Sequence, residues 1–117
     1  MLPKINRIKK KKDFEAIFKN SKTTRTNFFI FKISKNKLDI NRFGFVVSQK
    51  VSKRAVVRNK VRRRLAELMK VESEKMKTGI DLIVIALPGI EKKEFSEIKD
   101  LVGGAIERSG LILKNKT

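Results

Sequence analysis

The sequence contains no cysteine and no histidine. Their absence removes zinc fingers, thiol nucleophiles, Ser-His-Asp triads and imidazole general bases. Any catalysis would fall to carboxylates or lysines, or to a borrowed catalyst. Without cysteine there is no disulfide framework, which fits a reducing compartment, so a cytoplasmic protein is expected. No stretch reaches the ~18 apolar residues of a membrane span, and the basic run at residues 9–12 is not followed by an apolar segment of signal-peptide length. A membrane partner is not expected. Acids are scarce too: 12 Asp and Glu face 30 Lys and Arg, a net charge of +18 over 117 residues.

What is present argues for a fold. A hydrophobic content of 40% is too high for a disordered polycation. A chain of this length can bury roughly two thirds of its unfolded surface, so a single domain over 1–117 is expected, its basic segment 1–12 flexible at its start. So large a positive charge attracts polyanions, nucleic acid first and an anionic membrane surface second, with plain solubility as the bland alternative.

Residue patterns predict the elements. Asp13 is placed to cap a short helix with Phe14, Ile17 and Phe18 at i, i+3 and i+4. Polar residues 20–27 read as a loop. Phe28-Phe29-Ile30-Phe31-Lys32-Ile33 reads as a strand, aromatic and β-branched. Alternation puts Phe29, Phe31 and Ile33 on one face and Phe28, Ile30 and Lys32 on the other, which Lys32 marks as the open one. Residues 34–41 connect to a second strand over 42–48, and the two are expected to form a long hairpin. Gly44 within it suggests a bulge, with close approach of a ligand as the other reading. Ser52 then caps a helix over 53–77 whose Val57, Val61, Leu65, Leu68 and Met69 face the sheet. A buried strand follows at Ile80-Asp81-Leu82-Ile83-Val84-Ile85-Ala86. Residues 92–109 form a closing amphipathic helix, with Gly110 as its stop and Gly103-Gly104 as a weak point. The expected fold is α+β, in the order α-β-β-β-α-β-α with a short third strand. It is a single-domain sandwich of one mainly antiparallel sheet with helices on one face.

The informative constellation spans residues 50–64, which hold Lys50, Lys53, Arg54, Arg58, Lys60, Arg62, Arg63 and Arg64 and no acid. Arg54, Arg58 and Arg62 form one i, i+4 row, and Lys60, Arg63 and Arg64 spread over the opposite flank. Each like-charge pair costs a few tenths of a kcal/mol in an isolated helix. Solvated helix faces usually mix signs, as residues 67–77 do, so this one reads as a phosphate-binding face. Arginine suits it because its planar fork grips phosphate oxygens in pairs.

Within this stretch Val57-Arg58-Asn59-Lys60-Val61-Arg62-Arg63 resembles the RNR signature of the bacterial ribonuclease P protein subunit. Arg7-Ile8-Lys9-Lys10 with Asp13-Phe14-Glu15-Ala16-Ile17-Phe18 is similar to that family's amino-terminal pattern. Phe43-Gly44-Phe45-Val46-Val47-Ser48-Gln49-Lys50-Val51 is similar to its strand before the basic helix. The resemblance implies an accessory subunit of an RNA-based endonuclease that removes the 5′ leader of precursor transfer RNA. The catalytic Mg2+ ions would be held mainly by the RNA, with one protein per RNA and no catalytic or metal-holding residue in this chain. It also implies a left-handed βαβ crossover, as in a ribosomal-protein-like fold. Arg7, Lys50, Lys53, Arg54, Arg58, Asn59, Lys60, Arg62 and Arg63 would contact the catalytic RNA. Phe14, Phe18, Lys32, Val46 and Ser48 would line a cleft for the leader, between the first helix and the open sheet face. Two departures bear on this: Lys60 stands where the motif has arginine and Ala66 where relatives often carry a base, with Arg64 able to compensate. Lys32 replaces a frequent aromatic, which favours a phosphate contact there over stacking.

Other classes stay in view. A ribosomal or structural RNA-binding protein would share the charge. A membrane-surface polycation would need an apolar helix face that the sheet already claims. A stand-alone nuclease would need clustered acids, and the acids here are scattered. If the charge serves a polyanion, binding falls with salt, log K against log[salt] having a slope of roughly −0.7 to −0.9 per phosphate contacted. A titration of RNA affinity against KCl measures this, and a flat dependence contradicts it.

Overall fold

The computed structural model describes residues 2–112. Residue 1 and residues 113–117 of the expected domain lie outside them. In chain order the main elements are α1 (Lys11–Lys19), β1 (Lys22–Arg25), β2 (Phe29–Lys35), β3 (Arg42–Val46), α2 (Ala55–Ser73), β4 (Ile80–Ala86) and α3 (Phe95–Arg108). The order is α-β-β-β-α-β-α, as expected. The sheet runs β1-β2-β4-β3, with β1–β2 and β2–β4 antiparallel and β3–β4 parallel, so β3, α2 and β4 form a βαβ unit.

Three expectations are corrected. The extra strand is β1, ahead of β2, in the segment read as a loop: its Lys-Thr-Thr-Arg carries no apolar alternation because it is an edge strand, mostly exposed. Its Thr24 hydroxyl hydrogen-bonds the Ser109 hydroxyl at 2.7 Å, tying the edge to the end of α3. Second, β2 and β3 form no hairpin, since β4 lies between them. The run Ile80–Ala86 is buried at every position except half-buried Ile85, and a strand that apolar needs cover on both faces. The connection crosses the start of β4. There the Asn36 N–H donates to the Gly79 carbonyl at 2.8 Å and the Ile80 N–H donates to the buried Asn41 Oδ1 at 2.9 Å. Third, the helices do not share one face.

On the first face, Phe29, Phe31 and Ile33 of β2, Phe43 of β3 and Leu82 and Val84 of β4 meet Val61, Leu65, Leu68 and Met69 of α2 and Ile98, Val102 and Ile106 of α3. Alternation in β2 is as read, although Phe28 precedes the strand and packs against this core, with Lys93 Nζ 4.8 Å from its ring centroid. On the second face, Ile83 is covered by Ile8 and by Ile17 of α1, with Phe14, Val46 and Ile85 around them.

Helix ends also differ from expectation. Asp13 lies inside the first turn of α1, where its charge suits the helix dipole, and Lys10 is the N-cap. Ser52 is not the cap of α2 but accepts the Arg54 N–H at 3.2 Å. Helix α2 stops at Ser73, and α3 starts at Phe95 after a 3-10 turn at Ile90–Lys92. Helix α3 runs unbroken through Gly103-Gly104, and Gly110 follows it with φ of 73°.

The core sets a first prediction. Phe31 is fully buried and stacked on Phe29 with centroids 5.0 Å apart. Phe31→Ala should lower the unfolding free energy by about 3–5 kcal/mol in urea titrations. A loss below about 1 kcal/mol would mean that the ring contributes little to the core.

Candidate nucleic-acid interface

Strand β3 is the sheet edge on which the candidate residues converge. The amino-terminal segment runs along it, the Ile8 N–H donating to the Phe43 carbonyl at 2.8 Å and Arg7 bridging Phe43 in parallel. This contact covers part of an otherwise open strand edge. Arg7 is itself braced, its Nε donating to the Leu2 carbonyl at 2.7 Å. Across β3 the basic flank of α2 rises. Between them lies a groove of about 510 Å3, lined by Arg7, Phe14, Gly44, Asn59, Arg62 and Arg63 among others.

Helix α2 reaches this place through its apolar stripe. With Val61, Leu65, Leu68 and Met69 buried, the helical period leaves Asn59, Lys60 and Arg63 exposed and Arg58, Arg62 and Arg64 half-buried at the margins. Arg62 Nη2 donates to Asn59 Oδ1 at 2.6 Å, and Arg58 Nη1 donates to the Ser52 carbonyl at 3.0 Å. Arg58 therefore braces the turn that leads into the helix. The first turn of α2 holds no acid, and its N-cap is Arg54 without a side-chain cap. Positive charge at a helix N-terminus opposes the dipole, an arrangement an anionic ligand would relieve.

The sheet residues expected for the leader fall on the second face, with α1 beside them. Ile30, Ile85 and Val46 stand in one row across β2, β4 and β3, and Lys32, Ile83 and Gly44 in the next. Gly44 makes no bulge: it pairs in register, and its missing side chain admits the Phe14 ring, whose Cζ would lie 2.7 Å from an added Cβ. The second anchor of α1 is ionic. Arg42 donates to Asp81 through Nε at 2.9 Å and Nη2 at 2.7 Å, and its Nη1 lies 3.6 Å from Asp13 of α1. Hydrogen bonding to Asp81 raises the Arg42 guanidinium pKa above its ordinary value despite partial desolvation, with further help from the charges of Asp81 and Asp13. Arg42 is accordingly charged at any physiological pH.

Of the residues read from the sequence, Arg7, Asn59, Arg62 and Arg63 share the β3 groove, and Phe14 joins them there. Val46 packs near Phe14 on the second face, and Phe18 projects from α1 at 42% exposure with its ring centroid 6.5 Å from that of Phe14. Lys32 shares this face and donates to Thr23 Oγ1 at 2.9 Å. Ser48 lies beyond β3 in a turn, its Oγ accepting the Lys50 N–H at 3.2 Å. Lys50, Lys53 and Arg54 are exposed on the approach to α2, and Lys60 points to the other flank. Sequence reasoning missed Ile85 and Arg25, which complete the open row; a strand read as wholly buried hid the first and a segment read as loop hid the second. Among the described residues, no group of three or more Asp and Glu could hold a metal ion.

The family model for Ribonuclease P matches residues 2–110. This chain belongs to the ribonuclease P protein family. It is 33% identical to the ribonuclease P protein component of Clostridium acetobutylicum over 94% of its length and 93% of that protein. Against the Clostridium kluyveri component the identity is 36%, over 92% of this chain and 96% of that one. The solved Staphylococcus aureus RNase P protein superposes with a TM-score of 0.84 at 29% identity, covering 92% of this chain and 98% of that one. The Thermotoga maritima RNase P protein gives 0.80 at 25% identity, covering 93% and 98%.

The Phe14–Gly44 contact yields a prediction. Gly44→Ala should lower stability by about 1–3 kcal/mol, the usual cost of overpacking, and most of that cost should vanish in a Phe14→Leu background. Thermal or urea melts of the four variants measure the coupling. Additive costs would show that the ring is free to move aside.

Proposed function

We propose that this chain is the protein subunit of a bacterial ribonuclease P, binding the catalytic RNA through α2 and the 5′ leader of precursor transfer RNA beside α1. The observation that carries the reading is the β3 groove, where the arginines of α2 and the Phe14 ring of α1 meet at one strand edge. Family membership supplies the RNA partner and the tRNA-processing role.

On the α2 side, Arg7, Arg62 and Arg63 present guanidinium forks to phosphate, with Asn59, Arg58 and Lys60 on the same helix and Lys50, Lys53 and Arg54 at its approach. On the α1 side, Phe18 and Phe14 offer ring faces and the row Ile30, Ile85 and Val46 an apolar floor. Lys32 and Arg25 supply charge from the neighbouring strands, and Ser48 lies at the far end of β3. Aromatic faces beside cations bind single strands with little sequence preference, which a leader of variable sequence requires. In this reading Mg2+ is held mainly by the RNA subunit and the substrate. The chain positions the RNA. We assign it to the cytoplasm, with one copy per RNA.

Two sets of variants test the division of labour. Arg62→Ala and Arg63→Ala should weaken assembly with the RNA subunit, each reducing the salt slope by about one contact. Phe18→Ala should weaken holoenzyme binding of leader-bearing precursor by about tenfold, within the range for one stacked base, and leave mature transfer RNA little changed. Filter binding with both substrates reads the difference, and equal losses would contradict a leader site beside Phe18.

A further inference from the structure

Helix α2 is flanked by two grooves, and the site along β3 uses only one. On the opposite flank α2 and α3 enclose a groove of about 710 Å3, lined by Lys60, Arg63, Arg64, Val71, Phe95 and Lys99 among others. Phe95, the first residue of α3, is 41% exposed and Val71 is 52% exposed. Lys99 lies one turn beyond Phe95 on the same helix face, and Lys60 and Arg64 stand one turn apart across the groove. Lys60, Arg63, Arg64 and Lys99 outnumber the acids of the groove, Glu67 and Glu72, and Glu72 is buried. An aromatic face ringed by cations from two helices has the composition of a stacking platform for an unpaired base with phosphates on either side.

We propose that this groove is a second contact for the RNA subunit, with Phe95 stacking on an unpaired base and Lys60, Arg64 and Lys99 holding adjacent phosphates. The inference rests on the reading that α2 binds that RNA, because the groove continues the same basic ridge. The leader is not its occupant: α2 and α3 cover the first sheet face, whereas α1 lies on the second.

The test is affinity for a bacterial ribonuclease P RNA across a salt series, using the full chain and melts to confirm folding. Phe95→Leu, which keeps an apolar side chain but no ring, should lower affinity about tenfold with an unchanged salt slope, and Phe95→Tyr should retain it. Lys99→Ala should reduce the slope by roughly 0.7–0.9. Cleavage of leader-bearing and short-leader substrates should be affected alike. If Arg62→Ala weakens binding while Phe95→Leu and Lys99→Ala do not, this proposal is overturned and the ridge reading stands. If none of the three weakens binding, the ridge reading fails as well. Unchanged RNA affinity with self-association lost in Phe95→Leu would assign the groove to a second copy of the chain and overturn the proposal.

Discussion

The burial of one stripe of α2 holds this surface together. Val61, Leu65, Leu68 and Met69 are withdrawn from water against the sheet and α3. At roughly 1.5–3 kcal/mol per side chain they contribute on the order of 6–12 kcal/mol. The like-charge pairs along the same helix, Arg54–Arg58, Arg58–Arg62 and Lys60–Arg64, oppose this by a few tenths of a kcal/mol each. Packing outweighs repulsion several times over. The helix can therefore carry a ridge of cations from Arg58 to Arg64 with no acid among them, Glu67 following one turn after Arg63.

Where that ridge ends up is decided by β4. As the most apolar strand it takes the interior of the sheet, pairing with β2 on one side and β3 on the other. The parallel β3–β4 pair requires a crossover, and α2 supplies it. The basic helix is thereby set beside the edge strand β3. The same strand carries Gly44, onto which Phe14 packs, and Arg42, whose ion pairs reach Asp81 in the sheet and Asp13 in α1. A helix of nine residues is marginal alone, so α1 depends on these attachments. Both candidate surfaces are thus built around one strand from opposite faces of the sheet.

Much of this was legible in the residues. The apolar runs of β2 and β4, the stripe of α2 and the closing helix each follow a regular period, and the basic motif stands out by charge alone. What escaped were pairings. Nothing local in Phe29–Lys35 and Arg42–Val46 says that β4 will separate them, although the apolar character of Ile80–Ala86, interrupted only by Asp81, is a signal for a central strand. Strand β1 escaped because an exposed edge needs no apolar residue to form; its pairing to β2 and the Thr24–Ser109 hydrogen bond suffice. Gly44 suggests a bulge from sequence alone because the ring that fills its space comes from thirty residues earlier. Asp13 is the third residue of α1 and faces Arg42, a partner that lies in another element and that no local pattern reveals. The contacts of Gly44 and Asp13 are distant in sequence, and both bear on the placement of α1.

The chain belongs to the ribonuclease P protein family and presents charge and aromatic surface without a histidine or a cysteine. The most direct test is cleavage of 5′-labelled precursor transfer RNA at low Mg2+ by a bacterial ribonuclease P RNA, with and without this protein. The account predicts stimulated cleavage to a mature 5′-phosphate end and no cleavage by the protein alone. Tight, salt-dependent RNA binding without stimulation, or cleavage by the protein in the absence of the RNA, would contradict it.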